Sequence, residues 1–152
     1  MLHRFQTSMR LPRPRREVLA FFADAANLQR MTPPEVGFEM LTPQPIQLTA
    51  GAHVEYKLRL LGVPVRWQTR IARWDPPHEF VDEQLQGPYK LWVHTHRFQE
   101  KDGMTTMADE VQYRLPFWPL GEVADPLVRA QLQRIFRYRQ EVIHKYFGEQ
   151  GP

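Results

Sequence analysis

The chain predicts an α+β domain with the element order β-α-α-β6-α, its strands forming an antiparallel sheet and its last element a long helix. Three observations carry this reading. From Val36 to Leu115 hydrophobicity alternates with a period of two in six segments. After Asp125-Pro126 the period becomes helical and stays so to residue 147. Ahead of both, an alternating N-terminal stretch gives way at Pro12 and Pro14 to a short helical pattern.

Residues 2–11, LHRFQTSMRL, alternate loosely and then meet the prolines, as a strand entering a turn does. In REVLAFFADAANLQRMTP, Val18, Leu19, Phe22, Ala25 and Ala26 keep a helical period. Asp24 offers a break or a cap for a second short helix, and Pro33-Pro34 ends it. The six period-two segments are VGFEML, HVEYKLRLL, VRWQTRIARW, EFVDEQLQ, KLWVHTHRFQ and TTMADEVQYRL. Between them stand TPQPIQLTAG, GVP, DPPH, GPY and KDG, connections short enough to imply a meander. LPFWPLGEVADP breaks the pattern, with Asp125 as N-cap and Pro126 as first helical residue. Leu127, Val128, Leu132, Ile135, Tyr138, Val142, Ile143 and Tyr146 then make the apolar face of a helix over 126–147. Arg129, Arg134, Arg137 and Arg139 are left for its sides and solvent. At 1.5 Å per residue this helix is roughly 33 Å long, enough to cross a whole curved sheet.

A length of 152 residues suits one domain, taken as 1–152, large enough to enclose a core and a cavity. With no cysteine, neither disulfides nor thiol ligands are available, and any metal site must use His, Asp and Glu. The N-terminus has no apolar run of the secretory kind, and nowhere do about 18 apolar residues occur together. A soluble, cytoplasmic protein without integral membrane association is therefore expected. The balance of 20 Lys+Arg against 17 Asp+Glu gives a net charge of +3, with the arginines scattered rather than clustered. That distribution, without a continuous basic stripe or a known module, argues against nucleic acid as a partner. Arg13, Arg15 and Arg16 are the densest basic group, and at a helix start they suit a solvated turn.

Strand parity decides which side chains share a face. If Asp102-Gly103 is a two-residue turn, Lys101 pairs with Met104, Phe98 with Met107, His96 with Asp109, His94 with Val111 and Trp92 with Tyr113. These residues form the face richer in large aromatics, read as the inner one. His96 then sits about 5 Å from Asp109 at Cβ, close enough for a bond that selects one imidazole tautomer, while His94 is free to point inward. A turn at Gly62-Val63 pairs Leu58 with Trp67, Tyr56 with Thr69 and Val54 with Ile71 on the inner face. Glu55, Lys57, Arg59, Arg66, Gln68 and Arg70 fall outside. In EFVDEQLQ, Phe80 draws Asp82 and Gln84 inward, which requires a longer loop or a bulge near Gly87-Pro88.

The element order, together with RWQTRIARWDPPHEFVDEQLQGPYKLWVHTHRFQEKDGMTTMADEVQYRLPFWPLG, resembles the START-like, or SRPBCC (Bet v-like), superfamily. More narrowly it is similar to bacterial ligand-binding members of the polyketide cyclase/dehydrase-like group, whose domain also occurs fused to sugar-epimerase-like domains. The resemblance implies a helix-grip fold, in which a seven-stranded curved antiparallel sheet wraps the last helix around a cavity. Lipid carriers, hormone receptors and cyclases share this fold.

Three chemistries fit the inner face. Mostly apolar walls with a few polar groups make a site for a small hydrophobic, aromatic or lipid-like ligand. Its walls would be Tyr56, Leu58, Trp67, Thr69, Ile71, Phe80, Trp92, Phe98, Met107, Val111, Tyr113 and, on the helix, Ile135 and Tyr138; His94, His96, Asp109, Asp82 and Gln84 would orient its polar end. The alternative is an enzyme of cyclase or dehydratase type, with His94 or His96 as acid/base oriented by Asp109 and Tyr113 or Tyr56 polarising a carbonyl. His-x-His with Asp109 or Asp82 can also ligate zinc or iron, but no third histidine falls in register and the reading assigns neither metal nor cofactor. No Gly-x-Ser-x-Gly occurs, so a nucleophilic triad is not supported. Phe117 and Trp118 in LPFWPLG either gate the cavity, touch a membrane or pack beneath the C-terminal helix, the last being the simplest expectation. An exposed edge strand would permit a homodimer.

Overall fold

Seven strands form one antiparallel sheet in the computed structural model, which describes residues 1–43 and 45–148. Gln44, in the expected 42–51 loop, and residues 149–152 lie outside the described residues. The strands are β1 (His3–Leu11), β2 (Glu39–Met40), β3 (His53–Leu60), β4 (Val63–Asp75), β5 (Glu79–Gln86), β6 (Leu91–Lys101) and β7 (Met104–Arg114). Their spatial order is β1-β7-β6-β5-β4-β3-β2: a meander from β2 to β7, with the N-terminal strand closing on the far side of β7. Helices α1 (Arg15–Ala23) and α2 (Asn27–Arg30) connect β1 to β2, and α3 (Asp125–Phe147) ends the chain.

Local chemistry explains the turns. Asp102 and Gly103 both take positive φ, so β6 and β7 meet in the register expected, with His96 opposite Asp109 and His94 opposite Val111. The β3–β4 hairpin differs. Its turn residues are Leu61 and Gly62, both at positive φ, so Leu58 pairs with Val65, Tyr56 with Trp67 and Val54 with Thr69. Gly62 fills the second position of the turn rather than the first; the shift is by two residues, which leaves every side chain on its expected face. VGFEML is not one strand: Pro34–Val36 is a 3-10 turn, Gly37 is left-handed, and only Glu39–Met40 pair. Between β4 and β5 the register shifts at Gln68/Thr69 and again at Ile71/Arg73. Such bulges bend a sheet, and here they bend it around the site.

The helix α3 departs from expectation at both its start and its face. Asp125 is its first residue and caps no N–H; its carboxylate instead accepts from the Tyr113 hydroxyl at 2.6 Å and from Arg129 at 3.2 Å. The buried stripe is Val128, Leu132, Phe136, Arg139, Ile143 and Phe147, whereas Leu127 and Tyr146 are 62% and 56% exposed. An apolar-only pattern misplaces the stripe because one of its members is Arg139, drawn inward by Asp109.

Phe117 and Trp118 do not pack beneath α3 and are 82% and 67% exposed. The loop folds on itself instead: Gly121 N–H donates to the Phe117 carbonyl at 2.9 Å, and a Cβ at Gly121 would lie 1.9 Å from the Pro116 carbonyl oxygen. That close approach turns the two aromatics outward. Leu115 takes the buried place.

Two hydrophobic clusters fill the space between sheet and helices. One gathers Phe22, Ile71, Phe80, Phe98, Met107 and Ile143, the other Trp67, Tyr89, Trp92, Val111, Tyr113 and Phe136. The opposite face of the sheet carries charge in cross-strand rows, such as Arg66–Glu55 at 2.5 Å and Arg70–Glu83. Exposed pairs of this kind are screened by solvent and mainly keep that face wet. No described helix is long and apolar enough to cross a membrane.

Candidate functional site

A cavity of about 170 Å³ lies between the concave sheet face and α3, with α1, α2 and the Pro34–Val36 turn completing its walls. It is somewhat larger than the roughly 150 Å³ apolar cavity that takes up a benzene-sized guest. Of the residues expected to line it, Tyr56, Leu58, Trp67, Thr69, Ile71, Phe80, Asp82, Trp92, His94, His96 and Ile135 do so.

The remainder stand elsewhere for identifiable reasons. Phe98, Met107, Val111 and Tyr113 are at most 1% exposed and belong to the packed core beside the cavity. The Tyr113 hydroxyl is taken by Asp125, so it is not placed to polarise a carbonyl in the cavity. Gln84 brackets the β5–β6 loop: its amide donates to the Tyr89 carbonyl at 2.6 Å and accepts from the Tyr89 N–H at 3.1 Å. This loop keeps Phe80 and Asp82 opposite His96 and His94. Tyr138 is half-buried against the Arg134 guanidinium, and Asp109 lies behind the histidines rather than on the wall.

Sequence reasoning did not find Phe22, Leu28, Met31 and Thr32 from the α1–α2 segment, nor Phe38, Leu48, Leu60 and Tyr89. Their positions depend on how loops cross the sheet edge, which periodicity does not report. Leu132, Phe136 and Arg139 follow from the true face of α3, together with Gln131. For Arg139 the only usable signal was a basic residue in helical phase with Leu132 and Phe136.

The polar end of the cavity is one connected cluster. His94 and His96 are two apart on β6, so both imidazoles point to the same face, and their rings stack with centroids 3.7 Å apart. His94 Nε2 lies 2.8 Å from Asp109 Oδ1, and His96 Nε2 lies 2.6 Å from Asp82 Oδ2. His96 Nδ1 is also 3.3 Å from Asp109 Oδ1. Thus the partner facing His96 at close range is Asp82, and His94, expected to be free, is held by Asp109. The reason is diagonal reach: in a twisted pair an imidazole contacts the carboxylate of the neighbouring rung as readily as that of its own. Arg139 Nη2 completes the cluster, 3.2 Å from Asp109 Oδ1 and 3.3 Å from His96 Nδ1. Phe80 stacks on His96 at 4.0 Å and shields it from water.

Charge follows from this geometry. Burial opposes ionisation of Asp109, but the Arg139 guanidinium and the bonds from both histidines outweigh it and hold the carboxyl well below its usual 3.8. Burial likewise works against Asp82, and His94, His96 and Arg139 bring it below 3.8. Two carboxylates against one guanidinium leave one negative charge, which a single proton balances. His96 takes that proton: burial disfavours it, yet Asp109 and Asp82 together raise His96 above 6.5. His94 goes the other way, lowered by burial and by the charge on its neighbour. The two imidazoles are therefore displaced in opposite directions, His96 upward and His94 downward. Burial raises the Tyr56 phenol above its usual 10.0, so it stays protonated. Among the described residues, Trp67 Nε1 is a buried donor without a protein acceptor, and Arg139 Nε is another.

Residues 11–136 match the sequence profile of the family described as polyketide cyclase/dehydrase and lipid transport. Among curated proteins, none matches in sequence. Solved structures with the same fold include the Zhui aromatase/cyclase of Streptomyces sp. R1128, at TM-score 0.76 and 16% identity over 95% of this chain and 93% of that one. A START superfamily protein of Mycobacterium smegmatis aligns at TM-score 0.71 and 9% identity, covering 95% and 99% of the two chains. A nucleoside-diphosphate sugar epimerase of Corynebacterium glutamicum reaches 25% identity at TM-score 0.66, with 93% of this chain matched to 28% of that one. The architecture is the helix-grip arrangement of the START/Bet v-like proteins.

Proposed function

The chain belongs to the polyketide cyclase/dehydrase and lipid transport family, and from that premise we propose that it binds an uncharged aromatic or lipid-like molecule in the cavity, with residues 1–152 acting as one binding unit. The observation that carries this reading is Trp67 Nε1, a buried N–H on the cavity wall without a protein acceptor. An unmet buried donor costs about 1–3 kcal/mol, which a ligand oxygen recovers. Tyr56 and Thr69 offer hydroxyls nearby, only 3.5 Å apart and weakly engaged with each other. Asp82 and Arg139 both line the wall, so the polar end carries both signs of charge and suits a polar, uncharged group. Apolar walls with few polar anchors are what such a ligand requires.

The test is native mass spectrometry of protein taken from cells, followed by displacement of an environment-sensitive dye. An adduct or saturable dye uptake, abolished by filling the cavity with Leu132→Trp, is expected. Neither adduct nor uptake would favour a closed core. The cysteine-free chain suits the reducing cytoplasm, where we place its action. The edges of the sheet, β1 and β2, leave a homodimer open to light scattering.

A second reading, cyclisation or dehydration of a polyketide-like chain, is favoured by one feature: the opposite displacement of the two imidazole pKa values. His94, oriented by Asp109, would abstract a proton, and His96 with Asp82 would return one to a departing or enolate oxygen. His94→Ala should then abolish turnover of an identified substrate while affinity stays within a few fold. A change in affinity alone would reject catalysis.

A further inference from the structure

Each imidazole of the polar cluster has one nitrogen turned to Asp109 and one turned to Asp82. His94 Nε2 and His96 Nδ1 face Asp109 Oδ1 at 2.8 and 3.3 Å. The opposite nitrogens, His94 Nδ1 and His96 Nε2, face Asp82 Oδ2 at 3.7 and 2.6 Å, and one ligand atom from each of the three residues lies within 4.8 Å of the other two. In a metal site, the ligating histidines give their outer N–H to a carboxylate, which fixes the tautomer and leaves the inner lone pairs on the ion. Here one carboxylate, Asp109, is placed to do this for both histidines, and Arg139 at 3.2 Å anchors it from behind.

We propose that Asp82 Oδ2, His94 Nδ1 and His96 Nε2 bind a divalent first-row transition-metal ion of the zinc or iron(II) class at the polar end of the cavity. Two imidazoles and a carboxylate are the donor set such ions accept, leaving coordination positions for other ligands. Those positions open onto the cavity, because all three residues line it. Ligand atoms about 2.1 Å from a tetrahedral ion stand roughly 3.4 Å apart, so Asp82 must withdraw from His96 by less than about 1 Å, and the two imidazoles, stacked 26° from parallel, must tilt so that their lone pairs converge on the ion. Charge also permits it. Asp109 already balances Arg139, and Asp82 is left to offset the ion. Arg139 Nη2, now near a His96 Nδ1–H, donates to Asp109 alone.

The proposal goes beyond ligand binding by the cavity and is separable from it. Zn²⁺ is titrated calorimetrically into the chelator-stripped full chain near neutral pH, and Co²⁺ is followed by its visible absorption. One equivalent bound with a dissociation constant in the micromolar range or tighter, and a cobalt spectrum of low-symmetry nitrogen and oxygen coordination, are expected. Asp82→Asn and His94→Gln should each weaken binding at least about 100-fold. Asp109→Asn should weaken it about 10- to 100-fold by releasing the histidine tautomers. Circular dichroism of each variant separates loss of binding from loss of fold, and Asp82→Asn, at a partly exposed position, is the variant least prone to misfold. Absence of binding heat and of a cobalt spectrum overturns the proposal. Binding undiminished in both Asp82→Asn and His94→Gln does too, since the ion is then elsewhere. Dye uptake by the metal-stripped protein reads the cavity independently, so failure of one reading is distinct from failure of the other.

Discussion

Asp109 Oδ1 holds His94 Nε2 at 2.8 Å although the residue opposite Asp109 on β6 is His96, not His94. The same oxygen accepts from Arg139 at 3.2 Å, so one buried carboxylate joins the sheet to α3. Asp109→Asn leaves the Arg139 charge without its counter-ion and should destabilise the fold by about 3–5 kcal/mol. Asp82→Asn, at a partly exposed position, should cost clearly less. Urea unfolding of the two variants gives the comparison, and equal losses would reject the central role given to Asp109.

The two histidines should titrate apart. Nitrogen-detected NMR of the imidazoles is expected to show His96 protonated above pH 6.5 and His94 losing its proton below it. In Asp82→Asn, His96 should move down, because one of the two carboxylates that raise it is gone. Coincident titrations in the parent protein would remove the division into acid and base.

Stability should fall in acid, and the sign follows from the carboxylates. Asp109 and Asp82 have folded values below 3.8, so their contribution is full above 3.8 and is lost as pH falls through their folded values. His94, lowered, removes stability as pH drops below 6.5. His96, raised, adds stability below 6.5 and loses it as pH rises through its folded value. The two histidines therefore oppose each other, and the acid limb belongs to the carboxylates. Urea midpoints measured across pH should show a limb below pH 4 that flattens in Asp109→Asn; an unchanged slope would contradict this.

Trp67→Phe keeps the aromatic wall and deletes only the indole N–H. Affinity for a ligand carrying a carbonyl or ether oxygen should drop about five- to tenfold, the worth of roughly one hydrogen bond. Affinity for a pure hydrocarbon of the same shape should stay level. Dye-displacement titrations with such a matched pair read the difference directly.

Leu61 sits at φ 52° in the β3–β4 turn and is 51% exposed, so it carries backbone strain with little packing in return. Leu61→Asn creates the Asn-Gly pair that this turn geometry prefers and should stabilise the protein by about 1 kcal/mol. Thermal unfolding checks it, and a lower midpoint would show that Leu61 packs more than its exposure implies.

Much of this architecture was legible in the sequence because it rests on parity. A two-residue slip in the Leu61-Gly62 turn altered every pair between β3 and β4, yet Tyr56, Trp67, Thr69 and Ile71 kept their faces, since the period of a strand is two. The Asp102-Gly103 turn placed His94, His96 and Asp109 on one face for the same reason. Helices are less forgiving. Treating Arg139 as solvent-facing rotated α3 and hid Phe136 and Arg139 from the cavity wall, because a buried arginine looks like a surface one until its carboxylate is located across the sheet. The direct bond from His96 to Asp82 crosses between β6 and β5, and the 87–90 loop that sets that register carries no two-residue turn from which to count.

The strand made first is paired last. Because β7 is the strand that β1 pairs with, His3–Leu11 leave the ribosome about a hundred residues before Met104–Arg114, the segment that supplies their ladder partners. At roughly 5–20 residues per second, that interval lasts several seconds or longer. Over that interval the N-terminal segment lacks its strand partner while carrying Met9 and Leu11, which the finished fold buries. Arg4 and Arg10 are exposed along that edge together with Gln6 and Ser8, and charge placed on an edge disfavours wrong pairing as well as solvating the completed sheet.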